Sequence, residues 1–311
     1  MSRPELSIVT RPQGNNRAIT SGALSPQACD LQVVEVPVLV DAFRRMVRSL
    51  EFDICEMALT TYLCAREHGV PFTALPIFLV RGFHHGAIHV RNDTDIADPR
   101  GLEGHAVGVN RGYTVTTGVW ARAILRLEYG VELDRVTWAL SGDEHVEAYQ
   151  PPSNVVHLPP GSDLAKMVVA GELPAAINIK AGDEALRPLI PDPQAAALRA
   201  LDERGFYPIN HLVVVRDDVL AAHPGLARDL FQTFLAAKEA YVAGLDDLAD
   251  SEMDANDRLY ATVRERIDGD PLPYGLGPNT EMLETLFEHA VDQQILRTYP
   301  RLEDVFASVE E

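Results

Sequence analysis

Over residues 52–131 short β-branched and aromatic runs alternate with helical patterns, FDICEMALTTYLCAREHG, then FLVRGFHHGAIHV, then GVNRGYTVTTGVWARAILRLEYGV. This alternation constrains the fold more than any other feature, because it is the signature of an α/β protein with largely parallel strands. Extending the same reading along the chain predicts strands over residues 6–9, 31–35, 52–55, 73–80, 87–90, 106–109, 135–139, 175–179 and 211–215. Helices are predicted over 38–50, 57–68, 116–129, 163–170, 193–205, 223–245, 251–267 and 279–294.

A chain of 311 residues exceeds the size at which one core is usual, so two lobes are expected. The polar, turn-rich stretch RNDTDIADPRGLE over 91–103 marks the first boundary, and GFYPINHLVVVR over 205–216 reads as a strand returning to the first lobe. The expected division is 1–90 plus 206–311 for lobe 1, with the C-terminal helices, and 91–205 for lobe 2. Two crossings between lobes make a hinged cleft, and open α/β sheets bind ligands at the carboxyl ends of their strands. Functional residues are therefore expected near 55–60, 81–89, 111–122, 178–182 and 207–211.

The formal net charge of −19 argues against nucleic acid and against an anionic membrane surface as partners, since both need clustered Lys and Arg. No apolar run approaches the roughly 20 residues needed to span a bilayer. The start, MSRPELSIVTRPQGNN, lacks the basic, apolar and small-residue segments of a secretory signal, so a cytoplasmic location is expected. Cys29, Cys55 and Cys64 have no metal-ligand spacing and read as reduced, buried thiols. There is no Gly-x-Gly-x-x-Gly, phosphate-binding loop or Gly-x-Ser-x-Gly elbow.

Several residues carry chemistry at the predicted strand ends. Glu56 follows FDIC and is expected to open a helix, where it caps the helix, orients or protonates a histidine, or binds a hydroxyl. Arg81, His85 and His89 recur every four residues and would share one side of an extended segment, with His84 on the other. An arginine fork suits a carboxylate, and imidazole suits proton transfer near neutrality. A metal bound by the His-x3-His pair has no evident carboxylate or thiolate partner, so none is assigned. Thr116 and Thr117, at a helix start that also carries Arg122, form an anion site or an ordinary cap; Arg122 either binds an anion or lies over apolar surface. Asn210 and His211 stand at the second crossing.

At these residues the chain resembles the 4,5-dihydroxyphthalate decarboxylase family, relatives of type 2 periplasmic solute-binding proteins. The likeness runs through FDICEMALTTYL, RGFHHGAIHV, TTGVWARAIL, PINHLVVV and GDPLPYGLGPNTEMLE. Where the family usually reads Arg-x-Phe-Arg-His-Ser, Arg81, Phe83 and His85 match, while His84 and Gly86 differ. Where it reads Pro-Ile-Met-His, His211 matches and Asn210 replaces methionine; Thr280 stands where arginine is common. The resemblance implies a two-lobe, type 2 periplasmic-binding-protein-like fold with a helical C-terminal extension. It also implies a cofactor-independent carboxy-lyase of aromatic catabolism, acting on a small hydroxybenzoate or hydroxyphthalate. His85, His211 and Glu56 would be catalytic, and Arg81, His84, Thr116, Thr117, Arg122 and Asn210 would bind substrate. The alternatives are a solute-binding protein for an aromatic acid and another lyase or a dehydratase on the same scaffold; self-association into a homo-oligomer stays open.

Overall fold

The computed structural model describes residues 3–179, 182 and 184–309. The chain divides into two compact units: Met1–Gly82, Ile209–Leu283 and Pro300–Glu311 form the first, and Phe83–Pro208 with Glu284–Tyr299 the second. The first unit opens with β1 (Glu5–Val9), α1 (Arg17–Thr20), β2 (Asp30–Val33), α2 (Leu39–Ser49), β3 (Ile54–Ala58), α3 (Leu59–Glu67) and β4 (Phe72–Arg81). The second unit follows with β5 (Ile88–Arg91), β6 (Ala106–Val109), α4 (Thr116–Tyr129), β7 (Thr137–Leu140) and β8 (Val155–His157). It continues through α5 (Leu164–Val169), β9 (Ala175–Ile177), β10 (Leu186–Pro188) and α6 (Pro193–Arg204). The chain then returns as β11 (Ile209–Arg216), α7 (Asp217–Ala222), α8 (Leu226–Gly244) and α9 (Ala255–Ile267). Two helices, α10 (Thr280–Asp292) and α11 (Leu302–Val305), complete it.

Each unit holds one mixed sheet. In the first the order is β2-β1-β3-β11-β4, and in the second β10-β5-β9-β6-β7-β8. The expectation of largely parallel strands is too simple: β11 runs antiparallel to both β3 and β4, and β5 runs antiparallel to β9 and β10. The reason lies in the connectivity. Strand β11 pairs with β4 from Ile209 opposite Arg81 to Arg216 opposite Phe72, as the second arm of a hairpin whose loop is residues 83–208. Antiparallel neighbours need no crossover helix.

The boundaries also fall elsewhere than at 90 and 206. Residues 83–90 lie in the second unit because β5 belongs to its sheet. Glu284–Tyr299 lies there too, rather than with the other C-terminal segments. Gln293 accepts a hydrogen bond from Arg122 and donates one to the Val119 carbonyl, while Asp292 pairs with Arg126 at 3.1 Å.

Local sequence explains most of the elements. All five residues of β3 are buried, and β4 is buried along almost its whole length, so both read as continuous apolar runs rather than alternating ones. Helix α4 stops where Gly130 takes φ +64°, a left-handed position that glycine adopts without strain. Helix α6 starts with the Asp192 carboxylate accepting from Ala195 N at 3.1 Å and Pro193 in the first turn. No helix among the described residues is long and apolar enough to cross a membrane. Cys29, Cys55 and Cys64 are buried and form no disulfide, and burial pushes the Cys29 thiol up to about 11.

Candidate active site

Glu56 does not open a helix. Strand β3 continues through it to Ala58, which is the N-cap of α3, and Glu56 lies mid-strand and fully buried. A carboxylate in that position is tolerable only if donors replace its water. Oε2 accepts from the Thr10 hydroxyl at 2.7 Å and from the Arg11 backbone N–H at 3.0 Å, both in the loop that follows β1. Oε1 faces His211 Nδ1 at 2.7 Å. Asn16 fixes that loop, donating to Thr10 Oγ1 at 2.9 Å and to the Arg11 carbonyl at 3.1 Å. Glu56 thus caps no helix and lies against both a hydroxyl and a histidine.

The sheet register makes this pair. Glu56 stands opposite Val213 and Ala58 opposite His211, so Glu56 and His211 are diagonal neighbours on one face of the antiparallel β3/β11 ladder. On the other side of β11, Ile209 and His211 face the consecutive residues Arg81 and Val80, which leaves half-buried Asn210 as the extra residue of a bulge. The His211 ring meets Phe43 edge-on, with centroids 5.3 Å apart. Burial alone would push the Glu56 carboxyl up. The His211 hydrogen bond and charge, followed by Thr10 and the Arg11 N–H, outweigh it and hold the group below the usual carboxylate range. An ionised Glu56 keeps the ring proton on Nδ1. No other hydrogen bond involves the His211 ring among the described residues, so Nε2 remains for a ligand.

Arg81 ends β4 in the same unit, buried, and donates to Asn279 Oδ1. Asn279 is itself pinned, donating to the carbonyls of Pro273 at 2.9 Å and Gly275 at 2.6 Å. The expected alignment of Arg81, His85 and His89 along one extended segment is not formed. The strand stops at Arg81 and a turn carries His84 and His85, both buried, into the second unit, where His89 lies on β5.

His85 makes a second carboxylate–imidazole pair. Its Nε2 lies 3.0 Å from Glu128 Oε1 on α4, and the same carboxylate receives Arg204 from the end of α6. Burial pushes Glu128 up, but the His85 hydrogen bond and charge, with Arg204 behind them, hold it below the usual range. His85 is fully enclosed, and its Nδ1 has no hydrogen-bonding partner among the described residues.

The loop before α4 holds a carboxylate of the protein itself, two residues short of the Thr116 and Thr117 expected to bind an anion. Neither threonine caps the helix: the N-cap is Val115, Thr116 is buried and Thr117 half-buried. The anion is the Glu144 carboxylate, which accepts from the Tyr113 N–H, from Thr114 N at 3.2 Å and from Thr114 Oγ1 at 2.7 Å. Gly112 allows this approach, because a Cβ there would meet Glu144 Oε2 at 2.6 Å. Arg122 does not lie over the surface, and its Nη1 has no hydrogen-bond partner among the described residues. It is fully buried over the Tyr113 ring at 3.8 Å, donating from Nε to Gln293 at 2.7 Å and from Nη2 to the Tyr113 carbonyl at 2.6 Å. Those bonds tie α4 to the segments before and after it.

A protein of Comamonas testosteroni named 4,5-dihydroxyphthalate decarboxylase is 28% identical over 319 residues, covering 96% of each chain. Another of that name, from Pseudomonas putida, is 33% identical over 212 residues, which span 63% of this chain and 81% of the relative. The chain belongs to the 4,5-dihydroxyphthalate decarboxylase family. Decarboxylation is the reaction class that comes with the 4,5-dihydroxyphthalate decarboxylase name. No family model matches the chain. Among solved structures, the periplasmic aliphatic sulphonate binding protein SsuA from Escherichia coli aligns over 99% of this chain and 93% of its own, with a TM-score of 0.56 at 12% identity. That likeness gives this decarboxylase-family chain the periplasmic-binding-protein fold.

Among the described residues no group of three His, Cys, Asp or Glu side chains is gathered as a metal site. Of the 178–182 window, Lys180 and Ala181 lie outside the described residues. The partners that sequence reasoning misses in this 4,5-dihydroxyphthalate decarboxylase relative are Thr10, Asn16, Glu128, Glu144, Arg204, Asn279 and Gln293. Apart from Asn16, six residues from Thr10, each meets its partner across a long sequence gap, 46 residues for Thr10 and 171 for Gln293, and no local pattern marks them.

Proposed function

We propose that the chain is a non-oxidative decarboxylase of a hydroxylated aromatic acid of the 4,5-dihydroxyphthalate type, with Glu56 and His211 as its proton-handling pair. The observation that carries this reading is the buried Glu56 carboxylate 2.7 Å from His211 Nδ1, which leaves Nε2 as the acceptor. The substrate class rests on the name shared by both relatives.

The chemistry needs one proton and no redox partner. His211 Nε2 takes the proton of a ring hydroxyl para or ortho to the carboxylate, and Glu56 stabilises the imidazolium that forms. The phenolate pushes electron density to the ring carbon bearing the carboxylate, and that carbon accepts a proton. The carbon–carbon bond then breaks, carbon dioxide leaves, its bonding pair restores the aromatic ring, and His211 returns the hydroxyl proton. The sum is carboxylate plus one proton giving arene plus carbon dioxide. For the dihydroxyphthalate the product is 3,4-dihydroxybenzoate. His85 is the proposed donor to ring carbon, supported by Glu128 on Nε2 and by the unpartnered Nδ1. Arg81, His84 and Asn210 are proposed to contact substrate, with Thr116 and Thr117 in a lesser role. Arg122 takes a lesser role too, since Nε and Nη2 are bonded inside the protein and only Nη1 has no hydrogen-bond partner among the described residues.

The test is incubation of metal-stripped protein with 4,5-dihydroxyphthalate and a panel of hydroxybenzoates, following carbon dioxide and ring absorbance. Turnover is expected without added metal, falling at least about a hundredfold in His211→Ala. Tight binding with no turnover overturns the enzyme reading in favour of a binding protein. Activity that returns only with metal overturns the proton mechanism.

A further inference from the structure

The second unit holds an arginine that no internal bond explains. Three of its parallel strands, β9, β6 and β7, end level with one another, Val109 standing beside Ile177 on one side and Leu140 on the other. Immediately beyond lie Asn110 and Arg111, Ser141 and Gly142, and Asn178. This is the edge at which open α/β sheets present their ligand-binding loops.

Arg111 sits there with φ +72°, in the left-handed region that disfavours any residue with a Cβ. Asparagine tolerates such a position, as Asn178 does at φ +58°, but arginine has no local reason to take it. The neighbouring Gly112 does not relieve the turn, since its missing side chain is what admits Glu144. Surrounding contacts impose the conformation. Arg111 N donates to Ser141 Oγ at 3.0 Å, Ser141 N donates to the Val109 carbonyl at 3.0 Å, and Asn110 Nδ2 donates to the Asn178 carbonyl at 2.8 Å. Gly142 leaves the room: a Cβ on it would lie 3.1 Å from Arg111 Cα. Strained residues fixed from several sides in this way cluster at ligand sites.

The guanidinium supplies the second, independent observation. In the same unit Arg91 pairs with Asp93, Arg126 with Asp292, Arg135 with Glu103 and Arg204 with Glu128. Arg111, half-buried, makes no ion pair and no side-chain hydrogen bond with any described residue. In a chain of net charge −19, an arginine that faces no carboxylate of its own is set to take one from outside.

We infer that Arg111 is the residue that binds the carboxylate retained in the product, and so selects aromatic acids over neutral phenols. The inference rests on the decarboxylase reading for the identity of the ligand, while the anion specificity stands on Arg111 itself. Holding the retained carboxylate, rather than the departing one, gives affinity without stabilising the ground state of the bond that breaks.

The test compares wild type, Arg111→Gly and Arg111→Lys by calorimetric titration with 3,4-dihydroxybenzoate and with catechol, which differs only in lacking the carboxylate. Glycine takes φ +72° without strain, so this variant keeps the turn. The expected result is a loss of roughly tenfold to a hundredfold in affinity for the acid in Arg111→Gly, with catechol unchanged and Arg111→Lys between the two. Equal weakening of both ligands, or an undiminished preference for the acid, overturns the inference. Carbon dioxide release from 4,5-dihydroxyphthalate separates the two claims. If wild type releases none yet loses its acid preference with Arg111, the reaction falls and the anion site stands. If it turns over while Arg111→Gly keeps the preference, only the anion site falls.

Discussion

Glu56→Gln isolates the chemical role of the buried carboxylate, because the amide has nearly the same shape. Its oxygen, placed where Oε2 lies, still accepts from Thr10 and the Arg11 N–H. Its NH2 then points at His211 Nδ1 and donates to it, which moves the ring proton to Nε2 and removes the acceptor. Two bonds lose their charge assistance, about 1 kcal/mol each, so the variant is expected to lose about 2 kcal/mol of stability. At roughly 2–4 °C per kcal/mol, its melting temperature falls about 4–8 °C. The effect on rate is larger. Loss of general acid–base help lowers kcat by about 10²- to 10⁴-fold, or about 3–5 kcal/mol, and leaves KM within about threefold.

The melting difference also depends on pH with a definite sign. The folded carboxyl is held below its unfolded value, so its stabilisation is complete above the ordinary value of about 4.3 and is lost as pH falls through the folded value. The gap between wild type and Glu56→Gln should be widest near neutrality and close in acid. Carbon dioxide release under saturating substrate and thermal melts by circular dichroism read these quantities. A variant that melts lower yet keeps kcat within about threefold of wild type refutes the tautomer reasoning.

Two further perturbations separate scaffold from chemistry. Gly112→Ala drives a Cβ to 2.6 Å from Glu144 Oε2, whose carboxylate is held by three donors, and should cost about 1–3 kcal/mol; a melt indistinguishable from wild type sinks the description of how Glu144 is held. Arg122→Ala orphans Gln293 Oε1 and the Tyr113 carbonyl, at a cost of about 3 kcal/mol or more, with KM unchanged at temperatures where the variant stays folded. A large rise in KM with an unchanged melt would return Arg122 to the substrate.

The elements most legible in the sequence are those set by local rules. Helix α4 follows from the apolar spacing of TTGVWARAILRLEY and from Gly130, and β6 from four small β-branched or glycine residues. Strands β8 and β10, three residues each, exist only through their ladders and carry no pattern long enough to read. An acid directly after FDIC reads as a helix start; three donors from β11 and the β1 loop reverse that local preference. The carboxylate that Thr114 holds is hidden for a similar reason. The helix start was legible, but Glu144, 30 residues on, was not. Arg122 shows the limit most plainly, since nothing in WARAIL reveals that Gln293 lies within reach.

The diagonal register of β3 and β11 has a consequence for how such a chain can diverge. Because alternate residues point to opposite faces, a slip of one residue in β11 would carry His211 through the sheet and abolish its meeting with Glu56, so this pair can be inherited only together with the ladder that aligns it. Arg111, in contrast, stands on a loop where a side chain can be exchanged without re-registering a strand. On the roles proposed above, descendants of one ancestor can therefore trade the acids they accept while the Glu56–His211 pair passes through unaltered.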